Sequence, residues 1–189
     1  MYATHVPIIA MNAKDDSDYF LSVIEFVMAT IRRPFYLVKP GVKFSKVQEN
    51  GLNHACDYLD MFHTCTFDDR LSLEDKIKIL MQIDGLNIPK ASFVLQLTGH
   101  EIGCIDTHNA TIMGVDSDAL VMRKTAKKYN PEKIWRYIGM CQSTQMGGSQ
   151  KMWDSWCDFI HQKYPKRFDS GHTVSRYHVE AINAFFERK

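Results

Sequence analysis

"LSLEDKIKILMQIDGLNIPKASFVLQLTG", residues 71–99, is the stretch on which the fold turns. Ser72 followed by Asp75 resembles a capping box with Asp in place of Glu, and apolar residues then recur at helical period up to Gly85. Pro89 suits the first turn of a second helix, which should run to about Leu97 before Gly99 ends it. Two helices joined by "DGLNIPK" make a helix-hairpin-helix at about 72–98. Gly85 supplies the sharp turn, Leu86 and Ile88 pack the hairpin between the helices, and Ala91 sits where the helices approach closely. Such a turn leaves its backbone N–H groups, and those of the following helix start, to point at an anion; on DNA that anion is a phosphate oxygen. Tight helical hairpins containing Gly also serve as plain bundle connections, so the hairpin alone points about equally to either role.

Upstream, "DYFLSVIEFVMATIRRP" places Phe20, Ile24, Val27, Met28 and Ile31 at helical spacing, with Ser17 or Asp18 as cap and Pro34 as stop. "FYLVKPGVKFSK" reads as a loop or short extended piece carrying Lys39, Lys43 and Lys46, ahead of a helix from Val47 to Phe62. Downstream, Asp106 can cap "THNATIMG", and Asp116 or Ser117 can cap a helix through Lys128. Asn130-Pro131 opens another helix through Cys141, Ser149 opens "QKMWDSWCDFIHQKY", and a last helix runs roughly from Thr173 to Glu187. This amounts to about eight helices and no sheet, an all-α chain forming one domain over residues 1–189.

With 189 residues, of which 45% are hydrophobic, the chain can bury a real core. Its 23 basic and 22 acidic residues nearly cancel, so any contact with nucleic acid must come from local patches such as "KPGVKFSK" and "RKTAKK". No run approaches the roughly 18 apolar residues of a membrane span. Residues 1–11 lack the basic start and apolar run of a signal peptide, so the cytoplasm is the expected location and no membrane partner is expected. Five cysteines, Cys56, Cys65, Cys104, Cys141 and Cys157, stand at long irregular spacings, which favours reduced thiols over a disulfide framework or a zinc or iron-sulfur cluster.

"GLNIPKASFVLQLTGHEIGCIDTHN", residues 85–109, resembles the helix-hairpin-helix DNA glycosylase (HhH-GPD) superfamily. The hallmark there is this hairpin followed by a Gly-containing loop and an Asp that opens a helix, here Ile105-Asp106-Thr107-His108. The resemblance covers residues 79–109. It implies an all-α, helix-hairpin-helix glycosylase-like domain with its site in a cleft between two helical halves. It further implies a partner, duplex DNA with one nucleotide extruded, because chemistry on a base needs that base out of the stack. Gly85, Leu86, Asn87, Ile88 and Lys90 are the expected DNA-binding residues and Asp106 the expected catalytic one, with no cofactor and no metal. Breaking an N-glycosidic bond builds positive charge on the sugar, and a nearby carboxylate stabilises that charge and orients or deprotonates water. Without the family context, Asp106 would read simply as a helix cap.

The chain also departs from the family. Where bifunctional members carry an attacking Lys, it has Pro89, with Lys90 one residue later; that shift turns a helical side chain by about 100°. Lys90 is therefore expected as a phosphate contact or a solvated residue, and the enzyme as a monofunctional glycosylase. Asn87 stands where the family has its second hairpin Gly, and Asn tolerates a left-handed backbone. The Arg that often follows the Asp is missing from "DTHNATIMG". These departures leave open a phage-type hypermodification transferase or pyrophosphorylase acting on an activated 5-hydroxymethyl pyrimidine, and also a non-catalytic DNA-binding module.

His100, His108 and Asp106 lack regular metal-ligand spacing. Trp135, Tyr137, Trp153 and Trp156 lie where a base could stack, but aromatics at helical spacing usually belong to a core. "STQMGGSQ", residues 143–150, reads as a linker or a close approach to DNA, and His172, Arg176 and His178 as surface or pocket residues.

Overall fold

The computed structural model describes residues 2–33, 37–106, 110, 131–143 and 184–186. Among them every regular element is a helix: α1 (Tyr2–Asp15), α2 (Ser17–Ala29), α3 (Lys46–Asp57), α4 (Leu59–Phe67), α5 (Leu73–Leu80), α6 (Ile88–Leu97) and α7 (Pro131–Ser143). The expected helices after Asp116 or Ser117 and after Ser149 lie outside the described residues, as do Thr107, His108 and residues 144–150. Of the expected last helix, 184–186 are helical.

Side-chain caps set most of the boundaries. Asp16, in extended conformation, starts α2 by accepting from the N–H groups of Asp18 (2.8 Å) and Tyr19 (3.1 Å). The cap is thus one residue ahead of the expected Ser17 or Asp18, because a cap must stand outside the helical backbone. At the other end the chain leaves the helix at Thr30, whose hydroxyl donates to the Val27 carbonyl (2.6 Å), and Arg32 takes a left-handed backbone with φ of 57°. Ser45 and Gln48 form a full capping box on α3. The helix expected from Val47 to Phe62 is two helices: Tyr58, at φ −120° and ψ 30°, closes α3 and opens α4. Ser72 caps α5 as expected, accepting from the Asp75 N–H (3.1 Å) while its hydroxyl donates to the Asp75 carboxylate (2.6 Å). The α5 helix stops at Leu80 rather than Gly85, and Gln82, Ile83 and Leu86 then close tighter turns onto Ile79, Leu80 and Ile83.

α2 and α6 form the centre. Phe20, Val23, Ile24, Phe26, Val27, Met28 and Ala29 of α2 are fully buried, and every residue of α6 except Lys90 is buried. A helix apolar on all sides belongs inside a protein. The two helices pack against each other, with the Phe26 and Phe93 rings 6.2 Å apart, and α1, α3 and α4 surround α2 while α5 and α7 pack together. Phe185 and Phe186 close over Phe26. The hairpin turn between α5 and α6 rests on α3 at Gly51. A methyl group there would come within 1.9 Å of the Asp84 carbonyl oxygen and 2.9 Å of Met28 Cε.

Candidate functional site

Gly85 turns the hairpin with φ of 95°, a left-handed backbone that favours glycine. Leu86 and Ile88 are buried, so their side chains hold the turn against the core and only their backbones can face a ligand. Asn87 is extended, with φ −103° and ψ −179°, and its side-chain oxygen accepts from the Lys90 N–H (3.2 Å). The expected left-handed turn at Asn87 is therefore replaced by an N-cap, a role in which Asn ranks among the strongest residues. Because the Leu86 N–H is bonded to Ile83 and the Lys90 N–H to Asn87, the hairpin's remaining backbone donors are those of Gly85, Asn87 and Ile88.

Lys90 does not extend into solvent. Half-buried, its ammonium donates to the Thr30 hydroxyl at 3.3 Å and lies 5.4 Å from the centre of the Phe93 ring. It thereby ties the hairpin to the C-terminal end of α2. A guanidinium and four exposed cations follow on the connection from α2 to α3 and on the first residue of α3. Arg33 donates to the Ala29 and Lys43 carbonyls, while Arg32, Lys39, Lys43 and Lys46 are exposed. No acidic residue occurs from Thr30 to Gln48.

α6 ends in a Schellman motif: Gly99 has φ of 87°, its N–H bonds to the Gln96 carbonyl (3.2 Å), and the His100 N–H bonds to the Leu95 carbonyl (3.0 Å). The next residues, 102–105, are buried without being helical. Buried backbone groups need partners, and side chains supply them here. The Cys104 N–H donates to Gln96 Oε1 (3.0 Å) and the Ile105 N–H to the Tyr137 oxygen (2.7 Å). The Tyr137 hydroxyl in turn donates to the Gly103 carbonyl (2.7 Å), which the Cys141 thiol also approaches at 3.6 Å. Asp106 emerges, half-buried, at the end of this loop, and its carbonyl accepts from the Ala110 N–H (2.8 Å) as the cap of a new helix does.

Cys104 lies in the field of both Lys90 and Asp106. Burial pushes this thiol up to about 12, the positive charge of Lys90 works against the rise, and the negative charge of Asp106 adds to it. Burial likewise raises Cys141 to about 11, so neither cysteine is a thiolate nucleophile near neutral pH. His100 belongs to a separate polar knot. Its Nε2 lies 3.0 Å from the buried Lys76 ammonium and 2.9 Å from the Thr66 carbonyl, and its Nδ1 lies 3.1 Å from the Thr98 hydroxyl. Burial first, and then the Lys76 charge, hold His100 below the usual imidazole range. Among the described residues no three His, Cys, Asp or Glu side chains gather as metal ligands would.

Trp135 is exposed and donates its indole N–H to Glu74. Trp153, Trp156, His172, Arg176, His178 and residues 123–128 lie outside the described residues. Two members of the site, Tyr137 and Gln96, have roles in it that the sequence alone does not show. Tyr137 stands there only among several aromatics. Gln96 carries a visible signal, a buried amide four after Ser92 on a helix that is otherwise apolar apart from Lys90, and its side chain bonds Cys104.

Compared with models of known families, with characterised proteins and with solved structures, the chain matches none. No helix of the described residues is long and apolar enough to cross a membrane.

Proposed function

We propose that this chain is a DNA-binding enzyme that acts on an extruded nucleobase as a monofunctional glycosylase, on a helix-hairpin-helix glycosylase-like fold. The observation that carries this reading is that one buried helix, α6, bears a capped glycine hairpin at one end and at the other a loop, held by Gln96 and Tyr137, that ends at Asp106. The donors of Gly85, Asn87 and Ile88 face a phosphate, and Arg32, Lys39, Lys43 and Lys46 continue the track along the strand.

In the reaction water attacks the sugar C1′ and the N-glycosidic bond breaks, its electron pair leaving with the base, which then takes up a proton. Asp106 stabilises the positive sugar and accepts the proton of the attacking water. The products are a free base and an abasic site. A second reading, displacement of an anionic leaving group from an activated 5-hydroxymethyl pyrimidine, is favoured by the inward ammonium of Lys90, which could hold such a group.

Mass spectrometry of free bases and nucleosides, after incubation with DNA carrying normal, damaged and hydroxymethylated bases, tests both. Released base with alkali-labile sites, reduced about 10²-fold or more in Asp106→Asn while DNA binding persists, is the expected result. A changed nucleoside without base release selects the transfer reaction. DNA binding with no product from any substrate leaves a binding module, and absence of DNA affinity at low salt overturns the reading altogether.

A further inference from the structure

We infer that Tyr137 is the positioning residue for Asp106, an inference that rests on the reading of Asp106 as the catalytic carboxylate. The phenol is fully buried on α7, and its oxygen bonds one loop twice, accepting from Ile105 N–H and donating to Gly103 C=O, each at 2.7 Å. Those two groups flank Cys104, whose own N–H is held from the opposite helix by Gln96 at 3.0 Å. The last three residues before the acid are therefore gripped between α6 and α7. Tyr combines donor, acceptor and an apolar ring of the required reach, whereas Phe supplies only the ring.

The consequence for chemistry is geometric. Asp106 is preceded by irregular backbone rather than by helix or sheet, so its place depends on these side-chain bonds. A catalytic group needs its geometry held to about 0.5 Å, and an error of about 1 Å costs roughly 10²-fold in rate. The hairpin that would grip DNA is on the far end of α6 and makes no bond with Tyr137 among those described. Loss of the hydroxyl should thus lower kcat and leave DNA affinity alone.

The test compares wild type with Tyr137→Phe by amide hydrogen exchange and by single-turnover base release. The expected outcome is exchange of the Cys104, Ile105 and Asp106 amides faster by about tenfold, unchanged protection in α2 and α6, kcat lower by about 10- to 100-fold, and unchanged KM and DNA affinity. Unchanged exchange at Ile105, or full kcat in a variant with accelerated exchange, overturns the inference. In the wild type itself the Ile105 amide should be as protected as the core of α6, and rapid exchange there overturns it even if the variant fails to fold. If wild type releases no base at all, the glycosylase reading fails, while the exchange data still decide whether Tyr137 holds the loop.

Discussion

Gly51→Ala is the sharpest test of how the hairpin is seated. The added carbon would stand 1.9 Å from the Asp84 carbonyl oxygen, where real Cβ atoms essentially never come closer than 3.0 Å to a neighbour, so α3 and the hairpin turn must part by about an ångström. The obstacle is backbone, which cannot swing aside as a side-chain tip can. Overpacking of this kind costs about 1–3 kcal/mol, and a rigid carbonyl puts the cost at the upper end. Against it stands the gain of about 0.5–1 kcal/mol from replacing a helical Gly by Ala. The net is about 2 kcal/mol of destabilisation, or a fall in Tm of about 4–8 °C for a chain of this size. Gly139→Ala is the control, because nothing lies within 4 Å of an added carbon there, and only the gain remains. Thermal unfolding followed by circular dichroism reads both variants. A Gly51→Ala protein that melts within about 1 °C of wild type would refute the close packing of α3 on the hairpin.

Two further predictions concern ionisation. Since His100 is held below the usual imidazole range, the unfolded chain takes up a proton near pH 6.5 that the folded protein still refuses. Stability should therefore be fully present above that pH and decline as pH falls through about 6.5 toward the lower folded value; His100→Gln should flatten this part of the Tm profile, and a wild-type Tm that rises from about pH 7.5 to 5.5 would contradict the assignment. For the cysteines, burial raises Cys104 to about 12 and Cys141 to about 11 while Cys56 is exposed, so iodoacetamide at about pH 8 should modify Cys56 in the native protein and reach the other two only after unfolding. Peptide mapping reads this directly, and native labelling of Cys104 at the rate of Cys56 would sink it.

Local rules made much of the hairpin legible. Ser72, Pro89 and Gly99 each act through their own few neighbours, and each sits where capping and turn chemistry place it. What escaped depends on contacts distant in sequence or on competition between adjacent candidates. The break at Tyr58 interrupts an apolar pattern that continues from Leu52 through Phe62, and no Gly or Pro marks it. Asp16, Ser17 and Asp18 are all good caps, and only the backbone path of α1 selects the first. Asn87 suits a left-handed turn and an N-cap alike; with Gly85 already providing the positive φ, the cap is what remains for it to do. Nothing local marks the α1 helix, and while a core place for Tyr137 is legible, its bonds to the loop are not, since its partners stand 32 and 34 positions away.

The placement of polar groups on α6 links these observations. A helix buried on nearly all sides has little use for Ser92 and Gln96, and burying an amide without a partner is costly. Gln96 repays that cost by satisfying the Cys104 N–H, in a loop that has no ladder of its own. At the other end Asn87 does the same for the N–H of Lys90, and Lys90 then reaches back to Thr30. The hairpin and the loop bearing Asp106 are in this way two ends of one rigid piece, with α3 pressed on the first through Gly51 and α7 gripping the second through Tyr137. A site mounted on a rigid core element is held more tightly than one carried by free loops. On the proposed glycosylase reading, damage at the two ends should separate: Gly51→Ala should shift the hairpin and weaken DNA binding, while Tyr137→Phe should spare binding and slow base release.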